Sequence, residues 1–591
     1  MPTVNQQAAA IKKELEASRS TGVNPVALVL RGQVDDALNS LVFFSSPSDF
    51  AVRAETALAE IETHFATAPM LARCHALEFV ADMAIWLRSF LPSWNLTNRA
   101  LHGVHALSNR TILATADRAA DLAIRLARSS PSSADELLRL WRIQAGARFS
   151  AEGVADSADQ SVAFVGQSMA DYLGNLSSAI QSSNVRRIAE MQAAGKTPTI
   201  VGNDYAAFLR HAMFVGASFV ACNPPLVDLA WRAESEHWDG VVDIILAAHP
   251  NADPDDLARM VTLEIVLANM QLLRPVFLLT GGKAGCVCLQ VNPNRHGDAS
   301  SMLADARANY AELQSRLAGG VPNVVFKLPA TQAGLAACRE LTAEGIGVTI
   351  TVNFSLFQHL PFAAAIQDGQ AILSTLAHMS GRLAFPVRDE LIGKLGELAS
   401  FGIDESQARQ AAAWSGIAVL KRLHAEMDRR GLDRTRVRPL IASLRVYKGE
   451  AYSGLPSPIP DITEIVGTGV MTIFPNIRRA FDEAGALELD PRRILKPVPE
   501  AVFAVLRHSE IFKQAYWVAD GSNDPRLRPT QPLDLADAGG TASWPPVRNT
   551  LAEFVKAYDG FVERIMERRA NLRPAPIEAV PSGIAGQRRD G

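Results

Sequence analysis

Val324-Val325-Phe326-Lys327-Leu328-Pro329-Ala330-Thr331 is the stretch from which the rest of this chain is read. Branched and aromatic residues follow one another without polar alternation, which is the texture of a short strand buried on both faces. Pro329 ends the run, and an amphipathic helical pattern covers 331–344. Inside the run stands Lys327. Its stem can lie on apolar surface, but an ammonium taken out of water is costly unless it is paired or loses its proton. An environment of that kind lowers a lysine pKa from about 10.4 toward neutrality, and the free amine is a nucleophile for carbonyl carbon. For an isolated lysine, a strand-end residue snorkelling to solvent is the plainer reading.

Working outward, runs of the same kind recur at 199–201, 217–221, 285–291, 323–328, 347–352, 371–379, 439–444 and 469–474, and helical patterns such as 300–317 and 405–429 separate most of them. Eight short buried strands alternating with helices predict an α/β fold, a closed parallel (β/α)8 TIM barrel. A doubly wound open sheet competes, but no Gly-x-Gly-x-x-Gly turn follows the first strand. In such a barrel the active site lies at the strand C-termini. That singles out Asn203, Asp204, Asn223, Gln290, Lys327, Thr349, Thr351, Arg382, Ser443 and Arg445.

Residues 1–190 read as an all-helical domain suited to packing or association, with helical spacing over 51–65 and 70–91. The barrel is expected over 195–570, with an irregular, proline-containing insertion at about 486–544 and a helix over 545–568; 571–591 read as a disordered tail. A chain of 591 residues needs more than one core. With 48% hydrophobic and 20% charged residues it is globular, and a net charge of −4 offers no basic field for nucleic acid or an anionic membrane. The apolar stretch 261–279 is broken by Glu264, Asn269, Gln271, Arg274 and Pro275, against a membrane span. No signal peptide is visible, and five scattered cysteines suit a reducing, cytoplasmic setting. Cys286 and Cys288 would share a strand face as packing residues, and no histidine cluster supports a metal site.

The stretch from Phe326 through Leu335, continuing to Ile346, resembles the Schiff-base lysine region of the transaldolase family. Other segments are similar in the same order. Cys222-Asn223-Pro224-Pro225 resembles Thr-Asn-Pro-Ser, and Gln290-Val291-Asn292-Pro293 resembles Glu-Val-Asp-Pro. Thr349-Ile350-Thr351-Val352-Asn353-Phe354-Ser355 resembles Asn-x-Thr-x-x-Phe-Ser. Gly381-Arg382 resembles a phosphate-binding arginine turn, and Ala442-Ser443-Leu444-Arg445 resembles Ala-Ser-Phe-Arg. The segment from Trp544 through Tyr558 is similar to the closing helix of the fructose-6-phosphate aldolase branch.

The resemblance implies a class I Schiff-base enzyme that needs neither metal nor organic cofactor and acts on sugar phosphates. Lys327 would attack the C2 carbonyl of a ketose phosphate. The base for C3–C4 scission falls on Asp204, the candidate, or leaves the position to Asn203, in which case the base is missing; without the resemblance Asp204 reads as a helix cap. Thr351 would hold a proton-shuttling water and Gln290, standing for glutamate, would orient it without titrating. Asn223 would bond a substrate hydroxyl, with Thr349 beside it where the family has asparagine. Arg382, Ser443 and Arg445 would bind phosphate. Ala377 and Met379 replace a serine and an aromatic residue, which puts substrate choice in question more than the imine chemistry. Three functions are therefore carried forward. The first is transfer of a dihydroxyacetone unit between phosphorylated sugars. The second is an aldolase that releases dihydroxyacetone or uses an unusual sugar, and the third is a catalytically weakened barrel that acts as an interaction protein. The helical domain would serve a docking partner or a homo-oligomer.

Overall fold

The structure, a computed structural model, describes residues 2–20, 22–89 and 107–572. Its strands are β1 (Ile200–Asn203), β2 (Phe219–Cys222), β3 (Cys286–Gln290), β4 (Val324–Pro329), β5 (Val348–Asn353), β6 (Ser374–Met379), β7 (Val437–Ala442) and β8 (Val470–Ile473). All pair in parallel, in chain order, and β8 returns to β1 with Ile200 opposite Val470 and Asn203 opposite Ile473. The eight runs read from the sequence are the eight strands, their ends displaced by a few residues.

The turn after β4 explains its own sequence. The Thr331 hydroxyl accepts from the Gly334 N–H at 3.1 Å and starts the helix Gln332–Ala343. A Cβ on Gly334 would sit 2.0 Å from the Pro329 carbonyl oxygen, so only glycine lets the helix return this close to its strand. After β5, Ser355 caps Leu356–Asp368 by accepting from Gln358 N–H at 3.3 Å. Phe354 is fully enclosed and meets Trp544 edge-on at 6.2 Å, just ahead of the final helix Pro545–Asn571. That helix buries Val547, Leu551, Phe554, Tyr558, Phe561 and Ile565, and its Glu553 and Phe554 reach the mouth of the barrel.

Ahead of β1 the described chain is helical, from Val4–Ser20 to Asn184–Ala193. Met70–Ser89 is buried over most of its length, densely so from Phe79 to Leu87, with Asn109–Ser129 and Pro131–Ala151 packed on it. The latter begins at Pro131, where a missing N–H costs nothing, a turn and a half before the apolar pattern at Leu137. Polar contacts tie this layer to the barrel. Asn184 Nδ2 donates to the carbonyls of Phe481 (2.7 Å) and Gly485 (2.6 Å), and Glu152 lies between Arg148 (2.8 Å) and Arg478 (2.6 Å). Arg210, just after β1, pairs with Asp82 at 2.5 Å and with Asp35.

The helix Pro254–Leu279 contains the apolar stretch noted above. By length and composition it could cross a bilayer, yet 61% of its most apolar window is buried in this protein. Arg274, on this helix, bonds Glu14 Oε1 at 2.9 Å and the Val321 carbonyl at 2.6 Å. Short helices Glu500–Leu506, Glu510–Tyr516 and Ala538–Ser543 occupy the stretch before the final helix. The tail expected over 571–591 lies, beyond Leu572, outside the described residues.

Candidate active site

Lys327 is the fourth residue of β4, with Gln290 of β3 and Thr349 of β5 as its ladder neighbours. Because strand side chains alternate, Phe326 and Leu328 pack under the outer helices while Lys327 turns into the barrel. It is 7% exposed, and among the described residues it makes neither a hydrogen bond nor a close ion pair. Its cavity, of about 530 Å³, is also lined by Asp204, Asn223, Thr349, Thr351, Arg382, Ser443 and Arg445.

Asn203 and Asp204 differ in what each side chain touches. Asn203 is buried and its Nδ2 donates to the carbonyls of Tyr205 (2.6 Å) and Ala207 (3.3 Å), shaping the turn after β1. Asp204 faces the cavity, its N–H donating to Ile473 O at 3.1 Å. Burial pushes the Asp204 carboxyl up, against the pull of the Lys327, Arg382 and Arg445 charges and of the Ser443 N–H. A carboxyl whose proton affinity is raised by burial therefore shares a cavity with a lysine that makes no hydrogen bond among the described residues.

At the cavity rim Arg382, Ser443 and Arg445 come together. The Gly381 N–H donates to Ser443 O at 3.0 Å; a Cβ on Gly381 would lie 2.4 Å from that oxygen and 2.6 Å from Arg445 Cγ. Ser443 has φ +61°, a left-handed conformation that a serine adopts only at a cost of about 1 kcal/mol. Asp461, fully enclosed, accepts from Ser380 Oγ (2.5 Å) and from Arg445 N–H (3.1 Å). Burial raises its carboxyl to about 6, against those two hydrogen bonds. The Arg445 guanidinium is pushed down by burial and by the like charge of Arg382. Two guanidiniums lining one cavity offer forked donors of the kind an anion takes.

Other expected residues sit as follows. Asn223 Oδ1 accepts from Leu226 N–H at 3.0 Å as a helix cap, so its Nδ2 is the half left for a ligand. Thr349 Oγ1 accepts from Thr375 Oγ1 at 2.8 Å and meets the Cys288 thiol, while Thr351 Oγ1 lies 3.7 Å from Met379 Sδ. Gln290 is the β3 ladder neighbour of Lys327. It lines an adjoining cavity of about 350 Å³, shared through Asn223 and walled by Asp255, Arg295, Asp305 and Tyr558. Its buried Oε1 has no hydrogen-bond partner among the described residues.

The family description "Transaldolase/Fructose-6-phosphate aldolase" matches residues 215–511, about half of the chain. The chain belongs to this family. Transaldolase 1 of Streptomyces avermitilis is 31% identical over 220 residues, 36% of this chain and 54% of its own length. A transaldolase of Acidothermus cellulolyticus is 30% identical over 206 residues (33% and 52%), and one of Neisseria meningitidis serogroup C is 33% identical over 160 (26% and 42%). The chain thus spans about half the length of the curated relatives it matches. The match to the transaldolase family takes in Lys327, Arg382, Ser443 and Arg445 and leaves Asp204 and the final helix outside it.

Sequence reading missed two residues of this transaldolase-family barrel. Asp461 carried a signal, a lone acid in the apolar stretch Ile459-Pro460-Asp461-Ile462. Glu553 carried none, because a glutamate on a helix surface is ordinary; only the fold sets it against Arg382.

Proposed function

We propose that this protein moves a dihydroxyacetone unit between phosphorylated sugars through a Schiff base on Lys327. The observation that carries the reading is the unpartnered Lys327 sharing one cavity with Asp204, with Arg382, Ser443 and Arg445 at its rim. The Lys327 amine adds to the ketose C2 carbonyl, and loss of water leaves a protonated imine. Asp204 takes the C4 hydroxyl proton, the C3–C4 bond breaks, and its electron pair enters the iminium to give an enamine as the aldehyde product departs. Attack of the enamine on a second aldehyde, followed by hydrolysis, completes the transfer. Thr351 supports proton movement during carbinolamine formation, and the two arginines hold the phosphate.

An aldolase outcome is the second reading. There the enamine is protonated and hydrolysed to free dihydroxyacetone. Neutral Gln290 in place of glutamate favours it, while Ala377 and Met379, which line the cavity with no hydroxyl or aromatic ring, bear on which sugar is accepted. The position of Asp204 argues against a barrel that has lost its base.

Borohydride reduction in the presence of fructose 6-phosphate, followed by peptide mass spectrometry, tests the proposal. The adduct is expected on the Lys327 peptide and absent in Lys327→Ala; no adduct with a panel of ketoses sinks it. Asp204→Asn should still trap the imine while C–C scission falls at least 100-fold, about the size of a general-base contribution. Turnover that needs erythrose 4-phosphate separates transfer from cleavage.

A further inference from the structure

We propose that Glu553 gates the anion site: the final helix occupies Arg382 with its own carboxylate, and a phosphorylated substrate must displace it. This rests on the anion-site reading above and adds a specificity-determining residue that the family match does not reach. Both terminal nitrogens of Arg382 are engaged by Glu553, Nη2 to Oε1 at 2.5 Å and Nη1 to Oε2. Those are the forked donors that a phosphate would take. Phe554 holds the guanidinium from the same helix, 5.4 Å from its ring centre. The Arg382 charge and hydrogen bonds, with Arg445 nearby, keep the Glu553 carboxyl below its ordinary range, so at neutral pH it is an anion.

A phosphate monoester brings about −1.5 to −2 charges. It cannot share Arg382 with a second anion without repulsion, so Glu553 and phosphate exclude one another. The Glu553 side chain, and not the helix that carries it, is free to give way. Glu553 is 57% exposed, so its side chain can swing into solvent. The helix itself stays docked through Tyr558–Asp255 (2.8 Å), Arg564–Asp228 (2.9 Å) and Arg568–Asp243 (2.6 Å). An unphosphorylated ketose leaves the pair intact. Glu553 therefore sets how strongly the barrel prefers phosphate-bearing substrates.

Calorimetric titration of the full-length protein with inorganic phosphate reads this directly. Glu553→Gln is expected to bind phosphate about two- to fivefold more tightly than wild type, the scale of an exposed ion pair. Arg382→Ala is expected to lose that binding. Equal or weaker binding by Glu553→Gln overturns the proposal, because a carboxylate that merely steadied Arg382 would weaken the site on removal; retained binding in Arg382→Ala overturns it too. In turnover, Glu553→Gln should lower KM for fructose 6-phosphate and leave that for fructose unchanged, and parallel changes in both would contradict the gate. The titration needs no imine. A protein that fails to trap ketoses on Lys327 refutes the proposed function and leaves this result readable.

Discussion

Asp461 is not among the residues lining the Lys327 cavity, yet it ties together the segments that carry Arg382 and Arg445, because its two oxygens hold Ser380 after β6 and the Arg445 backbone after β7. Its carboxyl stands at about 6 in the folded protein against an ordinary 3.8, so the folded state binds the proton more tightly than the unfolded one. Below pH 4 both states are protonated and the group is neutral to stability. Between about 4 and 6 only the folded chain keeps the proton, so stability falls as pH rises through this window and levels off above it. Asp461→Asn, which cannot ionise, should lose that fall: relative to wild type its urea midpoint should improve between pH 4 and pH 7, by up to about 3 kcal/mol of unfolding free energy. A constant offset at both pH values would show that the carboxyl titrates normally. The same scale marks where sequence reading stopped. Lys327 was legible because an amine in an apolar strand is improbable, whereas Asn203 and Asp204, adjacent and both polar, could be separated only by the Tyr205 and Ala207 carbonyls that claim the asparagine.

The elements bring the anion site together through close approach of two strand ends. Gly381, in the helix after β6, lies against the backbone of Ser443 after β7, and Ser443 pays for the fit with a left-handed backbone. Gly381→Ala is expected to force the two ends apart, at about 1–3 kcal/mol in stability and at least a tenfold loss of phosphate affinity. Trapping of unphosphorylated dihydroxyacetone on Lys327 should survive, since β4 is not part of this contact. Phosphate affinity equal to wild type would show that the rim can yield without moving its arginines. Strand existence was legible throughout, because continuous apolar runs of the right length have few other solutions. Strand ends were less so: Ala371 and Leu373 are as buried as the strand that follows them, and the ladder pairings of β6 begin only at Ser374. The final helix was legible as an amphipathic stripe, but not what its exposed residues face.

At the scale of the whole molecule, helices and barrel share buried charge. Glu152, from the helical layer, sits between Arg148 and Arg478, with side chains 5–9% exposed, and Arg148 also meets His211 Nε2 at 3.2 Å. Burial pushes the Arg148 guanidinium and the His211 imidazole down, the latter also by the two arginines. Glu152→Ala leaves two buried cations facing each other and should cost about 3–5 kcal/mol, read as a lower melting temperature of the full-length protein. Adding Arg478→Leu should recover part of that loss; no recovery would mean that the cost lies in packing alone. By itself the sequence determined the parallel barrel, the helical region ahead of it and the lysine at its centre, because burial patterns and a misplaced charge are local properties of the chain. Tertiary structure alone decided that Asp204, and not Asn203, lines the cavity of that lysine, that Gln290 lines a neighbouring cavity, and that Glu553 and Arg382, 171 residues apart, form one pair. Those facts depend on how distant segments meet, and spacing along a chain does not carry them.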